Sequence, residues 1–166
     1  MLRQRPAPHR NAGAVASVAL LLVVASGCGS SDVRIDAPAL KGADASACAS
    51  LVKALPEAVS DQPRRRVEPE NAYGASWGDP AIVLRCGVPM PAGFDKFAAC
   101  QVTNEVGWFV PEAQIEEQSA DVVMTTIGFE QNVEVRLPAD YRPPAAAMVD
   151  LADAIKDSIR EVRPCL

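Results

Sequence analysis

The chain predicts an α+β fold: one antiparallel sheet of about five or six strands, an N-terminal and a C-terminal helix packed on one face of it, and two disulfides. Three observations lead there. Met148, Leu151, Ala152, Ile155, Ile159 and Val162 form an apolar stripe opposed by Asp150, Asp153, Lys156, Asp157, Arg160 and Glu161, the pattern of an amphipathic helix that must lie against an apolar surface. Val133, Val135 and Leu137 alternate with Glu134 and Arg136, as in a strand buried on one face. The order is helix, run of strands, helix, and strands that follow one another through short turns pair antiparallel.

Taken in order, residues 44–55 form the first helix. Asp44 stands as its N-cap, Cys48, Leu51, Val52 and Leu55 share a face, and Pro56 stops it. Residues 60–66, with Pro63 and the run Arg64-Arg65-Arg66, read as loop, and a polar stretch continues to Asn71. Asn71–Trp77 is a weak strand, and Trp77-Gly78-Asp79-Pro80 is a turn. Ala81–Cys86 is a strand with Ile82, Leu84 and Cys86 on one side. Residues 99–103 and 106–110 flank Asn104-Glu105 as a hairpin, Pro111–Ala120 is an acidic loop, and 121–129 and 133–137 are strands. Pro143-Pro144 opens the closing helix.

The first 27 residues are built differently. Arg3, Arg5 and Arg10 precede an apolar run from about Ala12 to Ala25, with no acid among them. A run of that length is short for a membrane span, which needs roughly 20 apolar residues, and suits the apolar region of an export signal. It ends in Ala25-Ser26-Gly27-Cys28, which resembles a bacterial lipobox, with Ala25 where Leu is usual. The reading is lipidation at Cys28: a diacylglycerol on the thiol and, after cleavage, a further acyl chain such as palmitate on the new amino group. The alternative is an ordinary secreted protein cut nearby. Several acyl chains hold a protein to a bilayer far better than one, since each buried CH₂ contributes about 0.8 kcal/mol. The expected organisation is a lipoprotein signal peptide over 1–27, a flexible tether over 28–43 reaching on the order of 20–25 Å, and a single domain over 44–166. The expected location is the outer face of the cytoplasmic membrane.

Composition narrows the function. The 166 residues carry 16 Lys+Arg against 21 Asp+Glu, a net charge of −5, and loss of the signal removes three arginines and no acid. So acidic a chain lacks the basic face that nucleic-acid binding requires. The single histidine, His9, lies in the signal. Its loss removes Ser-His-Asp and Cys-His nucleophile arrangements, and with no CxxC spacing it argues against zinc. No metal or cofactor is expected.

Five cysteines in an exported chain leave one over, and lipidation of Cys28 accounts for it. Cys48, Cys86, Cys100 and Cys165 then allow three connectivities. The favoured one joins Cys86 to Cys100 around a loop with Pro89, Pro91 and Gly93, and Cys48 to Cys165 across the two terminal helices.

The surface candidates are Arg64, Arg65 and Arg66, whose guanidiniums suit lipid phosphates or an anionic envelope polymer, or else pair with the domain's own acids. Trp77, Asp79 and Arg85 line a ligand cleft in one reading. In the other, Trp77 anchors the core and Asp79 caps its turn. Asp79, Glu112, Glu116, Glu117 and Asp121 supply carboxylates for a hydrolase, or merely solvated loops. The favoured function is a non-catalytic binding or interaction module whose partner is an envelope protein or anionic envelope polymer, with an envelope hydrolase using two acidic residues as the alternative.

The alanine- and leucine-rich helix around Cys48, the Arg64–Arg66 run and the block Trp77-Gly78-Asp79-Pro80-Ala81-Ile82-Val83-Leu84-Arg85-Cys86-Gly87-Val88-Pro89 resemble the domain of unknown function 3515 family. Val106-Gly107-Trp108-Phe109, residues 133–138, Tyr141 and Asp150-Leu151-Ala152-Asp153-Ala154-Ile155 agree with it, so that the likeness extends over most of 46–160. The resemblance implies an exported actinobacterial protein and supplies no catalytic residue.

Overall fold

The computed structural model describes residues 32–95 and 97–165. The expected signal peptide, Cys28 and the first part of the expected tether lie outside the described residues.

The strands are β1 (Val33–Arg34), β2 (Ala58–Val59), β3 (Gln62–Arg65), β4 (Val67–Glu68), β5 (Gly74–Trp77), β6 (Ile82–Val88), β7 (Gln101–Thr103), β8 (Val106–Phe109), β9 (Val122–Ile127) and β10 (Asn132–Leu137). The helices are α1 (Gly42–Ala54), α2 (Glu112–Glu116) and α3 (Ala145–Ser158). Eight strands form one sheet in the order β2-β3-β5-β6-β10-β9-β8-β7, every neighbouring pair antiparallel. The fold is therefore α+β, as the helix–strands–helix order implies, with a wider sheet than expected.

The extra width comes from the stretch read as loop. Ser60 and Asp61, both at positive φ (50° and 60°), make a tight turn between β2 and β3. Such turns match the twist of paired strands, and Asp tolerates the left-handed region better than most residues. The Asp150 carboxylate of α3 accepts the Ser60 backbone N–H at 2.8 Å, fixing the turn from outside. Pro63 and the arginines hide this strand, because its affinity comes from that long-range contact and from β5, not from its own composition. The hairpin turn at Asn104-Glu105 is where expected (φ 46° and 68°). Lys156 of α3 reaches Glu105 at 3.1 Å, the main cause of an ammonium pKa raised above the ordinary lysine range.

Both long helices cover the same face. Ala75, Leu84, Val135 and Met124 lie side by side across four strands in register, and all are buried beneath the helices. α1 packs on α3 and on β5 and β6, whereas α3 touches β2 near one edge of the sheet and β7 and β8 at the other. Eight strands at about 4.8 Å spacing would lie roughly 34 Å across if flat, and a 14-residue helix is about 21 Å long. The sheet must therefore curl around α3. Trp77 and Trp108, both fully buried, fill the two halves of that trough.

Three boundaries differ from expectation. α1 starts at Gly42 with Lys41 at its N-cap position, so Asp44 lies in the first turn, accepting from Gln131 Nε2 at 2.8 Å. The acidic loop contains the single turn α2, whose Gln114 side chain accepts the Val123 backbone N–H at 2.7 Å. The closing helix ends at Ser158. Ile159 is still buried but extended, and Val162 is exposed rather than part of the stripe. From there Arg160 accepts Glu130 N–H at 3.0 Å and the Gly128 carbonyl takes both Val162 and Arg163 N–H groups. Pairing with the β9–β10 turn outcompetes another helical turn.

That departure re-routes the disulfides. The bridges are Cys48–Cys86 and Cys100–Cys165, with Cα atoms 5.6 and 6.1 Å apart, not Cys86–Cys100 and Cys48–Cys165. Cys86 faces the helices from β6, directly under Cys48 of α1, and both are wholly buried. Cys165 is carried around to the opposite face, where Gly107 leaves room for it and Cys100 stands just before the edge strand β7.

Within the stretch expected as tether, 28–43, described residues are docked on the body. β1 pairs in parallel with β4, Ile35 is 3% exposed, and Leu40 packs against the core. Gly74 permits this approach, since a Cβ there would meet the Leu84 carbonyl and the Ile35 side chain.

Replacing Cys48 and Cys86 together with alanine is expected to cost about 4 kcal/mol in urea unfolding, from the loss of cross-linking across a 38-residue separation. A loss under about 1 kcal/mol would show that α1 is held by packing alone.

Candidate functional site

The helices leave the second face of the sheet uncovered, and the clefts of interest lie there. Residues 33–40 cross it as a strap. On one flank is a cleft of about 540 Å³ lined by Asp36, Pro38, Arg85, Met90 and Glu134. On the other is one of about 550 Å³ lined by Arg34, Ile35, Pro69 and Tyr73.

Arg85 sits at the polar centre. It stands opposite Glu134 in the β6–β10 register, a position from which the two side chains meet on one face. Nη2 and Nε donate to Glu134 Oε1 at 2.6 and 3.1 Å, and Nη1 donates to the Asp36 carbonyl at 3.1 Å. The pair is half-buried, at 34% and 21% side-chain exposure, so its charge-assisted bonds are stronger than those of an exposed pair. The arrangement uses Arg85 to fasten the strap, and its charge is already matched by Glu134. Glu134 and Asp36 were not singled out from the sequence. Alternation places Glu134 on the outward face of its strand, but no pattern announces which strand lies beside it.

The other candidates do not join this cluster. Arg64 donates through Nη1 and Nη2 to the Leu55 and Val52 carbonyls, each at 3.0 Å, and its guanidinium lies 5.7 Å from the Trp77 ring centroid. It thus closes the C-terminal end of α1, where unpaired carbonyls and the helix dipole favour a cation. Trp77 is a core anchor whose Nε1 donates to Pro56 O at 3.0 Å. Arg65 donates to Gly78 O at 2.8 Å and pairs with Asp79 at 3.7 Å, holding the turn after β5. Arg66 alone of the three arginines is exposed to solvent. The run is therefore not a three-guanidinium patch: strand alternation sends Arg64 and Arg65 to opposite faces, the first to the end of α1 and the second to the turn after β5.

Three of the acidic candidates serve local contacts, Asp79 with Arg65 among them. Ser119 donates both its hydroxyl and its backbone N–H to Glu117, lowering that carboxyl's pKa, the opposite of what a general acid needs. Asp121 accepts Ala139 N–H at 3.2 Å. Among the described residues no group of three or more His, Cys, Asp or Glu could hold a metal ion, and no helix is long and apolar enough to cross a membrane.

A curled antiparallel sheet with helices on one face and the strap of residues 33–40 on the other defines the structural class. The chain belongs to the DUF3515 family, described as a protein of unknown function, whose model matches residues 12–164. No curated protein and no solved structure matches it.

Arg64→Ala is expected to lower unfolding free energy by about 2 kcal/mol, because two part-buried carbonyls at the end of α1 lose a charged donor. Arg66→Ala should stay within about 0.5 kcal/mol. Equal effects in thermal or urea denaturation would contradict the division between them.

Proposed function

We propose that this is a lipid-anchored cell-envelope protein, a non-catalytic binding or interaction module held at the outer face of the cytoplasmic membrane. The observation that carries the reading is the fate of the cysteines. Four of the five are paired with one another, which leaves Cys28, the cysteine behind a basic and apolar leader and the small residues Ala25-Ser26-Gly27. Disulfides belong to an oxidising compartment outside the cytoplasm, and a cysteine in that position is the acceptor of a lipid.

The docked strap sharpens the proposal. With Val33 already paired to β4, residues 29–32 are all that separate the lipidated residue from the folded body. Even fully extended, a link of that length spans at most about 18 Å. The body is then held against the headgroup region instead of drifting above it on a long tether. Its partner is an envelope protein or anionic envelope polymer, met at the clefts beside the strap. The absence of histidine downstream of the leader, which removes Ser-His-Asp and Cys-His arrangements, supports binding over triad-based hydrolysis.

Cys28→Ala in the full chain, expressed in a host with a lipoprotein pathway, is expected to lose the acyl mass and to move from the detergent phase to the aqueous phase. Unchanged mass and partitioning would overturn the anchor.

A further inference from the structure

The two disulfides live in different surroundings. Cys48 and Cys86 are both fully buried between α1 and β6. Cys100 and Cys165 are half-buried on the opposite face, and both line a surface cleft of about 390 Å³ with Phe94, Ile127 and Arg163. A thiolate can reach the second bridge from solvent; reaching the first requires α1 to leave the sheet.

What the outer bridge holds is also local. The chain after α3 is tied at Gly128 and Glu130 by backbone hydrogen bonds from Val162 and Arg163 and to Arg160. Beyond Arg163, the covalent link to Cys100 and the seat over Gly107 fasten it. That seat exists because Gly107 has no side chain: a Cβ there would collide with Cys165 Cβ. Beneath the tail lies Ile127, 5% exposed, and Phe109, 7% exposed, stacks edge-on against Phe94 at 5.4 Å beside it.

We propose that Cys100–Cys165 is a thiol–disulfide exchange site for a dithiol reductant, and that opening it lifts the C-terminal end from the second face while Cys48–Cys86 keeps the core intact. One thiolate of the reductant attacks a sulfur of the bridge, the S–S bond breaks, and the other cysteine leaves as a thiolate and takes a proton. The reductant's second thiol then displaces the first cysteine from the mixed disulfide. Two electrons pass to the protein, the reductant departs as its own disulfide, and Cys100 and Cys165 end as thiols. Exposure, and not any difference in ring size, separates the two bridges. The inference is independent of the lipid anchor and holds for the secreted form as well.

The test is graded reduction of the oxidised protein without denaturant, quenched by alkylation and mapped by peptide mass, with near-ultraviolet circular dichroism followed in parallel. One arm uses dithiothreitol and the other a reduced protein bearing a surface Cys-x-x-Cys pair. Alkylation of Cys100 and Cys165 should run at least tenfold faster than that of Cys48 and Cys86, with the dichroism retained. Reactivity in both arms assigns a protein-sized reductant, and reactivity with dithiothreitol alone assigns a small one. Labelling of all four cysteines together, earlier labelling of Cys48 and Cys86, resistance of both bridges in both arms, or loss of dichroism as Cys100 and Cys165 react would overturn the proposal.

Discussion

A sheet that carries helices on one face only must do something with the other. Here the second face is partly covered by the segments before α1 and after α3. The strap of residues 33–40 covers one region, with Ile35 seated over Gly74 and Leu40 over Gly87. The tail after α3 covers another, seated over Gly107. Central strand β6 serves both faces: Leu84 and Cys86 point into the helix layer, and Arg85 between them holds the strap. The disulfides and the clefts follow from this division, and so does the reach of the proposed lipid anchor.

Much of the helix face was legible. Alternation in Ile82–Val88 and Asn132–Leu137 and the stripe of α3 are local signals of burial, and each corresponds to an element in the structure. The second face was illegible for a physical reason. A strap one residue wide buries single side chains, so Ile35 and Leu40 leave no period to detect, and the polar residues around them read as linker. β2 and β3 were missed likewise, because Asp150 and β5 supply what their own residues lack.

The disulfide exchange of partners has the same origin. Bringing Cys48 to Cys165 assumed that α3 runs on to the end of the chain. Its stripe does continue in sequence through Ile159 and Val162, but the Gly128 carbonyl and the Glu130 amide capture the backbone there. Of the two readings of the arginine run, an anion patch or pairing with the domain's own acids, the Arg65–Asp79 pair agrees with the second. Arg64 serves the carbonyls at the end of α1 and Arg65 the turn after β5. The residues that matter on the second face, Arg85 with Glu134 and the Asp36 carbonyl, come together only through strand register and a docked strap.

Coverage of the second face by the strap is the claim on which the proposed short anchor link depends, and native-state hydrogen exchange tests it most directly. The Val33 and Ile35 amides donate to Arg66 O at 3.0 Å and Glu68 O at 2.9 Å. The account predicts exchange at both slowed by a factor of at least about 100 relative to an unstructured peptide. Exchange at peptide rates, with β6 and β10 still protected, would contradict it.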